Sequence, residues 1–190
     1  MLGRRILYEL DIISINMGLK DRLLAHRLKK KTVVITIPDE SYALVESPDM
    51  EGAKALMVIN ATLKLHKDDI PLKQVFGYYC SVIFDYNDVD DDLWPTSEEF
   101  SIMQDYVETF DKALKVNDEH PNALFVARVT HKGTCQMIWM LHDAQTAIKY
   151  LDEVISKGDQ IREFEYSIEG DPEWNNIGWF LQDFPSKSPE

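Results

Sequence analysis

The sequence predicts an α+β fold: a ferredoxin-like βαββαβ core with an antiparallel sheet, extended by N-terminal β-strands and an N-terminal helix. Three observations lead there. Residues 122–143, NALFVARVTHKGTCQMIWMLHD, read as two strands joined by a tight turn. Amphipathic helical patterns flank that hairpin on both sides. A further strand-like run lies beyond each helix, at 75–86 and 162–169. From residue 75 the order is therefore β-α-β-β-α-β. Two right-handed crossovers then give the strand order 4-1-3-2, with antiparallel neighbours and both helices on one face.

The N-terminal stretch shows apolar residues at Ile6, Leu10, Ile13 and Met17, which is helical spacing. Gly18 interrupts it. Leu19, Leu23, Leu24 and Leu28 form a second stripe, set among Lys20, Arg22 and Arg27. Residues 1–31 are thus expected to be a basic helical extension, followed by one α+β domain over 32–184 and a tail at 185–190. Met17 also suggests an alternative start, which would make residues 1–16 upstream sequence.

Residues 32–37, TVVITI, are a β-branched run stopped by Pro38. Strands are also expected at 42–46 and 53–60, with turn chemistry at 49–52. The three form a meander that extends a sheet edge or covers its open face. Residues 61–66 read as a helical turn or loop, and 67–71 as a polar break. The run 75–86, VFGYYCSVIFDY, is apolar on both alternating faces: Tyr78, Cys80, Val82 and Phe84 on one, Tyr79 and Ile83 on the other. A strand with two apolar faces belongs inside a sheet.

Thr96-Ser97-Glu98-Glu99 fits a capping box, with Thr96 capping the Glu99 amide and the Glu99 carboxylate reaching back. Phe100, Met103, Val107, Phe110 and Leu114 supply the apolar stripe of that helix. The hairpin turns at His131-Lys132-Gly133-Thr134, where Gly133 permits positive φ. Asp143 is a good N-cap for a helix over 144–157, and Gly158 a good left-handed stop. Residues 162–169, REFEYSIE, alternate Phe164, Tyr166 and Ile168 against acidic and polar residues, so one face is dry and one wet. Trp174, Ile177, Trp179, Phe180 and Leu181 form an aromatic segment that packs back on the domain.

Charge narrows the function classes. Residues 1–31 hold eight basic and three acidic side chains, a net of +5, so in a chain at −13 the remainder carries −18. Such a body repels nucleic-acid phosphates and favours a basic protein partner. No stretch approaches the ~20 apolar residues of a membrane span, and the N-terminus lacks a signal-peptide pattern, so a cytoplasmic protein is expected. Cys80 and Cys135 lie in strand-like runs and read as buried thiols. There is no zinc-type cysteine spacing, and no P-loop, GxSxG, HExxH or GxGxxG motif.

Several segments also carry a resemblance: PDESYALVE at 38–46, MVINATL at 57–63, LWPTSEE at 93–99, the 122–143 hairpin, and REFEYSIEGDPEW at 162–174. Together they resemble the bacterial domain-of-unknown-function family numbered 695, over roughly residues 19–182. The Asp-Pro-Glu-Trp ending after an acidic strand is the most specific piece. The family has no established activity. Its architecture is similar to that of the regulator of ribonuclease E activity B, a small acidic protein that inhibits a nuclease by binding it. That resemblance implies a binder rather than an enzyme, by fold analogy alone.

Two acidic groups are candidate sites. Glu163, Glu165, Glu169, Asp171, Glu173 and Trp174 form an acidic strand and turn suited to a basic partner. Asp88, Asp90, Asp92 and Glu99 stand at positions 1, 3, 5 and 12 of a calcium-loop pattern. Leu93 stands where that loop needs glycine, and no other cofactor is expected. His120, His131 and His142 read as surface or locally bonded. The expected function is a non-catalytic, acidic protein-binding or regulatory module. The alternatives are a hydrolase using carboxylates or a divalent cation near 88–92, and an immunity protein against a basic toxin.

Overall fold

A computed structural model of the chain describes residues 3–11, 30–50, 53–158 and 160–184. The expected basic stripe at Leu19–Leu28, Met17 and the tail at 185–190 lie outside the described residues.

The core follows the expected order. Strand β5 (Tyr78–Asp85) leads to helix α2 (Ser97–Lys115), the hairpin β6 (Ala123–His131) and β7 (Thr134–Leu141), helix α3 (Ala144–Lys157) and strand β8 (Phe164–Gly170). Ahead of these lie β1 (Arg4–Asp11), β2 (Lys30–Ile37), β3 (Tyr42–Met50), β4 (Ala53–Asn60) and the short helix α1 (Ile70–Val75). One six-stranded sheet runs β3-β4-β6-β7-β5-β8, with every neighbour antiparallel. Its last four strands have the expected 4-1-3-2 order, with β5 inside. The β3–β4 hairpin widens it at the β6 edge.

Local chemistry accounts for the joints. Lys132 and Gly133 both have positive φ, 45° and 77°, which is the two-residue turn that matches strand twist. The Asp143 carboxylate accepts from the Gln145 amide at 2.9 Å and caps α3. Gly158 ends that helix at φ 65°. A bulge between Phe125 and Ala127 turns Phe125 toward the helices and Ala127 toward the opposite face.

Both faces of the sheet are dry. On one, Cys80, Val82, Phe84, Met137 and Trp139 pack against Met103, Phe110 and Leu114 of α2 and Ala147 and Leu151 of α3. On the other, Met57, Ile59, Leu124, Val129 and Met140 are covered by Ile6, Tyr8, Ile35, Leu72, Phe76 and Trp174. Each such side chain fully buried contributes about 1.5–3 kcal/mol.

Three expectations fail. Arg4–Asp11 is a strand, not a helix, and pairs in full register with β2 as a two-stranded ribbon. Ile6, Tyr8 and Leu10 suit a period of two as well as the helical one, and β2 offers a matching apolar face in Val33, Ile35 and Ile37. Thr32–Ile37 therefore pairs with β1 instead of joining the 42–60 meander. The ribbon shares the main core, so the described parts of residues 1–31 are not a separate extension. The third miss is α1, in place of a polar break running straight into a long strand. Asp69 caps it through the Leu72 amide at 3.0 Å, and Val75 belongs to it rather than to β5.

Ile35 is 3% exposed and its neighbour Val34 60%. Ile35→Ala is expected to cost about 2–5 kcal/mol in denaturant unfolding, while Val34→Ala stays within about 0.5 kcal/mol. Equal, negligible effects at both positions would mean the ribbon is not part of the cooperative fold.

Candidate functional site

Strand β8 closes one edge of the sheet. Phe164, Tyr166 and Ile168 turn toward α2 and α3. The Tyr166 hydroxyl donates to Asp152 of α3 at 2.5 Å. The alternate residues, Glu163, Glu165 and Glu169, are exposed. Glu165 lies opposite Ile83 and Glu169 opposite Tyr79 of β5. Strand geometry sets Glu163 and Glu165 about 7 Å apart on one face.

The turn after β8 is built differently from its surface. Asp171 is buried, and its two carboxylate oxygens accept from the Asn175 amide at 2.8 Å and the Asn176 amide at 2.9 Å. Trp174 is buried too, at φ 60°, a region sparsely used by residues other than glycine. Its indole N–H donates to the Phe76 carbonyl at 2.8 Å, and Lys73 lies 5.9 Å from its ring centre. Lys73 also donates to the Glu173 carbonyl. Asp171 and Trp174 thus pin the C-terminal segment over the sheet. Of the six residues expected at this site, Glu163, Glu165, Glu169 and Glu173 present their side chains at the surface. The Glu169 carboxylate there accepts from the Asn176 side chain at 2.8 Å.

The structure does not bring the calcium-pattern residues together. The Asp88 carboxylate accepts from the Thr96 hydroxyl at 2.8 Å. The Asp90 carboxylate accepts from the Asp92 and Trp94 amides, both at 2.9 Å, which closes the loop on itself. Leu93 takes φ 62°, where the pattern wants glycine. Glu99, 2% exposed, meets Arg162 through two bonds of 2.7 and 2.5 Å and also accepts from the Asn87 amide at 3.0 Å. The expected capping box is therefore half formed. The Thr96 hydroxyl caps the Glu99 amide at 3.3 Å, but the Glu99 carboxylate turns inward to the guanidinium. Among the described residues no group of three or more His, Cys, Asp or Glu side chains is placed to hold a metal ion.

Sequence reasoning missed one cleft of mixed lining, where Leu7 and Val116 stand beside polar side chains. Tyr8, His120, Asn122, His142, Asp143 and Thr146 line a space of about 380 Å³. The rings of His142 and His120 stand 4.8 and 6.0 Å from that of Tyr8. His142 Nδ1 lies 3.0 Å from the Val75 carbonyl, so it donates there. A strand reading of residues 4–11, which puts Tyr8 on the inner face, was the available signal. His131 sits apart, at the β6–β7 turn. Both cysteines are buried, and burial pushes the Cys80 thiol up to about 12 and the Cys135 thiol up to about 11. They stay protonated near neutral pH, which is poor chemistry for a nucleophile.

These features define a class: an acidic α+β protein with helices packed on an antiparallel sheet of six strands. The chain belongs to a family of unknown function, DUF695, whose model matches residues 49–182. That match leaves β1, β2 and most of β3 outside it, and begins later than the resemblance read from the sequence. No curated protein and no solved structure matches the chain. No helix among the described residues is long and apolar enough to cross a membrane.

The Glu99–Arg162 pair generates two expected outcomes. Removing one member of a buried pair strands the other charge, so Arg162→Met alone should cost about 3–5 kcal/mol. The double variant Glu99→Leu/Arg162→Met should recover much of that loss in the same denaturant titration. The Arg162 guanidinium also holds the Glu99 carboxyl below its ordinary range. Its stabilisation is then complete above the unfolded value of about 4.3 and is lost as pH falls through the lower folded value. Stability measured from pH 6 downward should therefore fall in acid. Glu99→Gln should flatten that fall by up to about 1.4 kcal/mol per pH unit.

Proposed function

We propose that this chain is a non-catalytic binding or regulatory module that engages a basic segment of a partner protein along its acidic β8 edge. The observation that carries this reading is the position of β8. It ends the sheet, and Glu163, Glu165 and Glu169 stand exposed along it, with Glu173 just beyond. The net charge of −13 favours such a partner and disfavours nucleic acid. Charged residues on an edge strand also block unwanted pairing, so capture of a partner is what separates binding from protection alone.

The hydrolase reading draws less support. Clefts of about 380, 260 and 450 Å³ are lined by other residues than Asp88, Asp90, Asp92, Glu163 and Glu165. A carboxylate enzyme needs its acids converging in such a space. An immunity protein against a basic toxin is one form of the leading reading, and a cytoplasmic location suits either.

The test is a pull-down from native cells with the full chain and with Glu163→Lys/Glu165→Lys. A specific basic protein should be retained by the first, lost with the second, and released as salt shortens the Debye length from about 10 Å toward 3 Å. Equal capture by both forms would sink the acidic-edge reading.

A further inference from the structure

The sheet ends in two edge strands, and they are finished differently. The β8 edge carries Glu165 and Glu169, with Glu163 just before it. The β3 edge has no charged residue from Ser41 through Val45. Tyr42 and Leu44, on its helix-side face, are 53% and 68% exposed. Past Ser47 the pairing with β4 shifts register, and Pro48 has no amide hydrogen to offer a ladder. What remains is an uncharged stretch of about five residues between Glu40 and Glu46, of the kind soluble proteins otherwise blunt with charge, proline or a bulge.

We propose that this edge is a self-association surface, on which β3 of one copy pairs antiparallel with β3 of a second about a two-fold axis through Leu44. The stretch is self-complementary in that register. Leu44 meets Leu44 on the exposed face, Ala43 meets Val45 on the face toward the core, and Tyr42 meets Glu46. The last pairing brings the Tyr42 phenol, which donates its one proton to Glu40 at 2.5 Å, within reach of a second carboxylate acceptor to which it would have to turn. Charge selects this edge over the other. Two copies at −13 repel, and joining them at β8 would set carboxylate directly against carboxylate, whereas the β3 register sets no two charges directly opposite from Ser41 to Ser47 and brings Glu40 and Glu46 together only on the diagonal. Five residues per copy fall short of a standard interface of roughly 800 Å² per partner. The dimer is accordingly weak, dissociating at about micromolar concentration or above. It lies at the opposite edge from β8 and does not rest on the acidic-edge reading.

The test is sedimentation of the full chain from about 1 μM to about 1 mM. A monomer–dimer equilibrium is expected. Leu44→Lys should weaken it at least about tenfold by opposing like charges, and Glu165→Lys should leave it intact. Leu44→Cys gives an independent readout. Paired Cα atoms about 4.5–5.5 Å apart suit a disulfide, and both native thiols are buried. Mild oxidation should cross-link Leu44→Cys much faster than Leu65→Cys, at a comparably exposed site. A monomer at every concentration, a dimer indifferent to Leu44→Lys, or equal cross-linking of the two cysteine variants would overturn the proposal.

Discussion

A sheet that is apolar on both faces has to be covered on both, and most of this molecule follows from that constraint. The inner strands carry apolar residues on both alternating faces: Cys80, Val82 and Phe84 against Tyr79 and Ile83 in β5, Met137 and Trp139 against Ile138 and Met140 in β7. Two helices cover one face only. The other face draws in everything else: the β1–β2 ribbon, α1, and the turn that carries Trp174 and Ile177. Among the described residues the ribbon forms a sheet of its own, separate from the large one. It docks through side chains, with the Tyr8 hydroxyl fixed on the Pro121 carbonyl at 2.8 Å. Its contribution is apolar burial rather than an extended hydrogen-bond ladder.

The buried Glu99–Arg162 pair closes the corner where α2 begins and β8 is about to start. A carboxylate at 2% exposure persists in ionised form only with full hydrogen bonding. Here the guanidinium and the Asn87 amide supply it. The pair joins three segments distant in sequence: the end of β5, the first turn of α2 and the approach to β8. Such pairs add little net stability over well-packed apolar residues, but breaking one is expensive. It ties the approach to β8 to the first turn of α2.

How much of this was legible depends on whether the signal was local. The capped helices, the Lys132-Gly133 turn and the alternation of Phe164, Tyr166 and Ile168 depend on residues a few positions apart, and all were readable. Residues 4–11 were not, because Ile6, Tyr8 and Leu10 satisfy a strand while Ile6, Leu10 and Ile13 satisfy a helix. Only the partner strand, 19 to 33 residues away, decides between them. Glu99 had a good local explanation as the second half of a capping box, and it was overridden by Arg162, 63 residues on. Asp69 and Pro71 were a legible helix start, hidden by the shortness of α1. The inward turn of Trp174 depends on its positive φ and on the Phe76 carbonyl. Neither leaves a trace in composition, so the packing of the aromatic segment against the domain was readable while the anchoring of Trp174 was not.

Covering both faces also limits where a macromolecular partner can approach. With helices on one side and the ribbon and C-terminal turn on the other, the edges of the large sheet among the described residues are β3 and β8, and the ribbon adds the outer edges of β1 and β2. The chemistry of β3 and β8 differs. At β8 the alternating carboxylates repel a second copy of an acidic chain and attract a cationic segment. At β3 the lack of charge removes both effects, and shape and apolar contact decide. A fold used so fully for burial leaves its charge contrast at the rims of the large sheet, where Glu165 and Glu169 line β8 and Tyr42 and Leu44 stand exposed on β3.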